Sequence, residues 1–99
     1  MKHYEIKIIG KVQGVGFRFM AMEAAYKYHV RGFVQNLKDS SVYIEAEGKE
    51  EDLQRFLEWC RSGALGTKVD RIEVTEGHLK NYVTFDIKRS SGTQFEKFL

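Results

Sequence analysis

Residues 30 to 48 read Val30-Arg31-Gly32-Phe33-Val34-Gln35-Asn36-Leu37-Lys38-Asp39-Ser40-Ser41-Val42-Tyr43-Ile44-Glu45-Ala46-Glu47-Gly48. Val30 to Gln35 reads as a strand, and Asn36 to Ser41 has the polar, small-residue composition of a turn. Val42, Ile44 and Ala46 then alternate with Tyr43, Glu45 and Glu47, the period of two of another strand. The turn between them is short, so the two strands form a hairpin. Gly48 ends it.

Working outward, the hairpin is flanked on each side by a helix and beyond that by a strand. Upstream, Tyr4, Ile6 and Ile8 alternate with Glu5, Lys7 and Ile9, and the stretch continues to Val12 as a first strand. A glycine-rich loop with Gly10, Gly14 and Gly16 follows. Phe17, Met20, Ala21, Ala24, Ala25 and Tyr28 recur at spacings of three and four, which predicts a helix over residues 17–29. Downstream, the acidic run Glu50-Glu51-Asp52 suits a helix N-terminus, and Leu53, Phe56, Leu57 and Cys60 fall on one helical face. That helix stops near Ser62-Gly63. Val69 to Thr75 and Val83 to Ile87 are strand candidates separated by a polar turn over residues 76–81.

The order is βαββαβ, with an extra C-terminal strand available. Two right-handed β-α-β units place both helices on one face of an antiparallel sheet, the ferredoxin-like α/β plait of the α+β class. That fold by itself assigns no function.

The 99 residues make one domain, residues 1–99, with residues 90–99 as a C-terminal tail. At 42% hydrophobic and 30% charged, the composition is that of an ordinary globular protein able to bury a core without disulfides or a structural metal. A net charge of +2, with acids and bases interspersed, tolerates anionic substrates and announces neither nucleic acid nor an anionic membrane as a partner. The single Cys60 cannot form an internal disulfide, which fits a reducing compartment. No secretory signal and no membrane-spanning run is visible, so a cytoplasmic monomer is the expectation. His3, His29 and His78 are scattered and show neither metal spacing nor a nucleophile partner, which assigns them surface or structural roles.

One segment breaks a rule. Gly10-Lys11-Val12-Gln13-Gly14-Val15-Gly16-Phe17-Arg18 joins a strand to a helix start, where backbone N–H groups have no intrahelical partner. Ser, Thr, Asp or Asn ordinarily caps such a start, with acids in the first turn. Here there is no cap, and a cation, Arg18, occupies the first turn. An anion in the loop would accept the free N–H groups, balance Arg18 and exploit the close approach that glycine allows. The bland alternative is that Gly14 and Gly16 make a turn and Arg18 points to solvent. The spacing matches neither a Walker loop nor a dinucleotide loop.

The run from Gly10 to Arg18 resembles the signature loop of acylphosphatases, and Gly32-Phe33-Val34-Gln35-Asn36-Leu37-Lys38-Asp39 resembles their second motif. Glu45-Ala46-Glu47-Gly48, the helix with Leu53, Phe56, Leu57 and Trp59, and the residues Gly63, Gly66 and Val69 extend the likeness over about residues 4 to 88. The resemblance implies the same plait, no metal, no cofactor and no phosphoenzyme. It implies hydrolysis of the carboxyl–phosphate anhydride of small acyl phosphates to carboxylate and inorganic phosphate, with the substrate's own phosphate taking the water's proton. By the same likeness, the backbone N–H groups of Gln13, Gly14, Val15, Gly16 and Phe17 cradle the phosphoryl group. Arg18 would bind phosphate and Asn36 would hold the attacking water.

Several positions depart from the family pattern. Lys38-Asp39-Ser40-Ser41 replaces a turn that often holds Asp-Gly, so a looser hairpin is expected. Leu37 stands where some members have Thr. Gly63-Ala64-Leu65-Gly66 lacks a frequent proline, and the tail runs past the usual end, so a terminal carboxylate contact to Arg18 is not carried over. Two other readings of the plait stay open. An RNA-recognition module would use Phe33 and Tyr43 as a stacking platform, although the acids Glu45 and Glu47 on the same strand repel phosphate. A regulatory or carrier domain would keep the anion site without turnover.

Overall fold

Side-chain alternation sorts each strand into a helix-facing and an open side. In the computed structural model, which describes residues 1–14, 16–63 and 66–89, the elements are β1 (Lys2–Lys11), α1 (Phe17–Lys27), β2 (Arg31–Asn36), β3 (Val42–Gly48), α2 (Glu50–Ser62), β4 (Lys68–Gly77) and β5 (Phe85–Lys88). Tyr4, Ile6 and Ile8 of β1, Val34 of β2, and Val42, Ile44 and Ala46 of β3 share one core. Ala21, Ala24 and Ala25 of α1 and Leu53, Phe56, Leu57 and Cys60 of α2 complete it. Both helices therefore lie on one face of the sheet. Burial pushes the Cys60 thiol pKa well up, as expected of a cysteine that packs as a small apolar group.

The sheet runs in the order β4-β1-β3-β2-β5. Its first four strands are antiparallel neighbours, with Ile6 opposite Ile44 and Val34 opposite Ile44. This is the expected plait. The extra strand enters differently: β5 pairs with β2 in parallel, Gly32 opposite Phe85, so the whole sheet is mixed. The cause is the segment between β4 and β5, read from the sequence as a polar turn. It crosses the open face to reach the far edge. The backbone N–H groups of Lys80 and Tyr82 donate to the Glu47 carboxylate at 2.5 and 3.1 Å, and the Tyr82 ring packs edge-on to Phe33. Glu45 and Glu47, which alternation assigns to solvent, are consequently buried at 6% and 2% exposure.

Element boundaries also shift. The first helix ends at Lys27 rather than His29, because His29 takes a left-handed conformation (φ 61°) and Val30 N–H closes onto the Ala25 carbonyl. Histidine tolerates that region better than bulky residues, so no glycine signals the stop. The last strand starts at Phe85, and Val83 is 82% exposed. Gly10 belongs to β1 and not to the loop. It sits at a register shift against β4, where an added Cβ would lie 2.1 Å from the Lys68 carbonyl oxygen.

Candidate active site

The β1–α1 connection and the end of β2 meet at one edge of the sheet. Asn36 is the last residue of β2, opposite Val42, and not part of the turn. Gly14 (φ 83°) and Gly16 (φ 76°) adopt left-handed backbone, which glycine supplies without steric cost. Gly16 is the N-cap of α1 and makes no side-chain cap bond, and the first turn holds no acid. The Met20 N–H is the first to bond back, to the Gly16 carbonyl at 3.1 Å. The N–H groups of Phe17, Arg18 and Phe19 are therefore left without intrahelical acceptors.

A cleft of about 280 Å³ opens at this helix start, lined by Gln13, Gly14, Gly16, Phe17, Arg18 and Asn36. Val15 lies outside the described residues. The rest of the expected set is thus gathered around one cavity, and Phe19 and Ile87, at 55% and 40% exposure, form its apolar wall. No carboxylate, imidazole or thiol appears among the described lining residues.

Arg18 Nη1 donates to the Lys88 carbonyl at 3.0 Å. Among the described residues it meets no carboxylate, so its charge is oriented by β5 but not neutralised. The tail with the terminal carboxylate, over residues 90–99, lies outside the described residues. Asn36 Oδ1 is buried and has no hydrogen-bond partner among the described residues. A buried amide oxygen left in this state costs on the order of 1–3 kcal/mol, a cost that structural asparagines avoid.

The side chain of Gln13 has a role that its sequence position does not reveal. Its Nε2 donates to the carbonyls of Leu37 (2.9 Å) and Ser41 (2.8 Å), pinning the glycine loop to the hairpin that carries Asn36. Those acceptors lie in a different loop, and no local pattern announces them. The hairpin itself is tied down rather than loose. Ser41 N–H donates to Asp39 Oδ1 at 3.1 Å, the Ser41 hydroxyl bonds the same oxygen, and Lys7 Nζ lies 2.9 Å from Oδ2. These Ser41 and Lys7 contacts hold the Asp39 carboxyl well below the usual carboxylate range. Ser40 supplies the left-handed residue (φ 74°) where a glycine is common.

Comparison with known proteins agrees with this geometry. The family model described as Acylphosphatase matches residues 4–87. An acylphosphatase of Clostridium acetobutylicum is 46% identical over 72 residues, 73% of this chain and 79% of that protein. The crystal structure of the Bacillus subtilis acylphosphatase superposes with a TM-score of 0.87 at 42% identity, covering 89% of this chain and 99% of that one. A full-length HypF, solved in its phosphate- and nucleotide-bound form, matches at a TM-score of 0.84 and 36% identity. It covers 92% of this chain and only 12% of its own. With the match running through both the glycine loop and the strand that ends in Asn36, the chain belongs to the acylphosphatase family, enzymes that hydrolyse acyl phosphates.

Proposed function

We propose that the cleft hydrolyses small acyl phosphates without a metal ion, with Arg18 and the loop N–H groups of Gln13, Gly14, Val15, Gly16 and Phe17 binding the phosphoryl group and Asn36 placing the attacking water. The observation that carries this reading is the convergence in one cleft of an uncapped helix start, an arginine that meets no carboxylate among the described residues and an Asn36 amide oxygen with no partner among them. The helix start and the guanidinium together favour a group with several anionic oxygens.

Water would attack phosphorus in line with the bond to the acyl oxygen. That bond breaks with its electron pair leaving on the carboxylate, and the water's proton passes to a phosphoryl oxygen. A carboxylate is a good leaving group, so the protein's task is positioning and stabilisation of equatorial oxygen charge. The described lining residues offer no carboxylate, imidazole or thiol set suited to a divalent ion. Arg18 supplies the positive charge instead.

Hydrolysis of acetyl and benzoyl phosphate by the purified chain in the presence of a chelator tests this directly. Full turnover with chelator is expected, with competitive inhibition by inorganic phosphate. Loss of activity on chelation would refute metal independence, and phosphate binding without turnover would indicate an anion-binding domain. The stacking-platform reading loses its physical basis: Phe33 is buried beneath Tyr82 and the Lys88 ammonium, which sits 4.0 Å from its ring centre. The Tyr43 hydroxyl is committed to Glu45 at 2.7 Å.

Gln13→Leu, which keeps the bulk and removes both donors, is expected to lower kcat roughly 10- to 100-fold, because small misplacements of catalytic groups carry penalties of that order. Steady-state kinetics checks it: the fall should lie in kcat, with thermal stability changed little by the loss of two half-buried hydrogen bonds.

A further inference from the structure

The open face carries a second cluster of chemistry at the other end of the sheet from the cleft. The register sets His3 opposite Glu47 and Glu5 opposite Glu45 across β1 and β3, and His3 opposite Gly77 across β1 and β4. The His3 side chain is fully buried. Its Nδ1 lies 2.7 Å from Glu47 Oε2. Glu47 is an acceptor that also takes two backbone N–H groups, so Nδ1 carries the proton and donates.

The other ring nitrogen is the anomaly. His3 Nε2 is buried and has no hydrogen-bond partner among the described residues, yet it faces Glu45 Oε1 at 3.4 Å and Glu5 Oε2 at 3.9 Å. In the neutral ring, a lone pair points at two anionic oxygens. Glu45 Oε1 is an acceptor, taking the Tyr82 hydroxyl at 2.6 Å and the Lys80 ammonium at 2.9 Å. A positive species between these atoms removes the repulsion.

We propose that His3 Nε2, Glu5 Oε2 and Glu45 Oε1 bind one divalent transition-metal ion, with Zn²⁺ the best fit and a water completing its coordination, at a site separate from the anion cleft. The three atoms lie within 4.8 Å of one another. A tetrahedral ion with bonds of about 2.1 Å separates its ligand atoms by roughly 3.4 Å, which matches the His3–Glu45 distance. Glu5, 40% exposed and 3.9 Å from His3 Nε2, can turn inward toward that spacing. Glu47 on Nδ1 is the carboxylate that orients a metal-bound imidazole and fixes its tautomer. Gly77 keeps the space open, since a Cβ there would lie 3.2 Å from Glu5 Oε2 and 3.0 Å from His3 Cδ2. The Lys80 ammonium, 2.9 Å from Glu45 Oε1 and half exposed, competes for that oxygen and must swing away when the ion enters, while the Tyr82 hydroxyl, 2.6 Å from the same oxygen, stays as its hydrogen-bond donor.

The test is calorimetric titration of the metal-stripped full chain with Zn²⁺, with melting temperature followed in parallel. Expected are one ion per chain and a rise in melting temperature, because the ion binds only the folded site. Glu5→Gln, at a partly exposed position, should weaken binding about tenfold or more. Lys80→Met should tighten it by removing the competing cation. Co²⁺ in place of Zn²⁺ should show the visible absorption of tetrahedral coordination. Absence of binding at excess Zn²⁺ would overturn the proposal. So would binding that Glu5→Gln leaves unchanged, which would place the ion elsewhere, or binding that Lys80→Met fails to strengthen.

Discussion

Arg18→Ala is expected to lower kcat/KM for benzoyl phosphate by about 10²–10³, the usual consequence of removing one positioned donor to a transition-state oxyanion, worth about 2.7–4 kcal/mol. Among the described residues the guanidinium makes one bond, to the Lys88 carbonyl, which in the proposed mechanism leaves its other donors for the phosphoryl oxygens. Because phosphate is present in substrate and product alike, the variant should also lose competitive inhibition by phosphate. Arg18→Lys should recover little, since an ammonium cannot hold the Lys88 carbonyl and present a planar fork at once. Asn36→Ala should cut kcat by a similar factor with KM and phosphate inhibition nearly unchanged, because in the proposed mechanism its amide addresses water and not the phosphoryl group. Steady-state kinetics with phosphate as inhibitor separates the two. Unaltered turnover in Arg18→Ala, or parallel loss of phosphate affinity in Asn36→Ala, would overturn the division of labour.

Gly32→Ala is expected to destabilise the fold by about 3 kcal/mol or more, a large share of the roughly 5–15 kcal/mol of a domain this size. Gly32 has φ 142°, and an added Cβ would lie 1.8 Å from the Glu45 carbonyl oxygen and 2.7 Å from its carbon. Those atoms are backbone of β3, which is wedged between β1 and β2 and cannot retreat. The melting temperature should fall by roughly 15 °C or more. Gly14→Ala is the control. It also has positive φ (83°) but no atom within 4 Å of its added Cβ, so only local backbone strain of about 1–3 kcal/mol opposes it. Thermal unfolding of the two variants should therefore rank Gly32→Ala well below Gly14→Ala. The reverse order would refute the close-approach account. The glycine that opens the second motif is thus a packing residue, and the family likeness alone does not distinguish it from a site residue.

The plait was legible because its elements carry strong local periods. Ile6, Ile8, Val42 and Ile44 alternate, and Leu53, Phe56, Leu57 and Cys60 repeat at helical spacing, so strand, helix and hairpin follow from neighbours along the chain. The His29 stop was not legible, since the left-handed residue is not a glycine. The departure of β5 from the antiparallel pattern depends on where the crossing segment lands, which no period encodes.

The sequence by itself determined the order of elements, the helix-facing core and the suspicion attached to Arg18, a cation at an uncapped helix start. Asn36 entered only through the paired motif, because a polar residue beside a turn has no distinctive local chemistry. Long-range packing sets the rest: Gln13 ties the glycine loop to the hairpin, the Lys88 carbonyl orients Arg18, and His3 is buried among three acids. Each of these contacts joins residues far apart in the chain. Local sequence fixes which way a side chain points from its own strand or helix, but the partner it meets there is set by how the strands pair and what crosses over them.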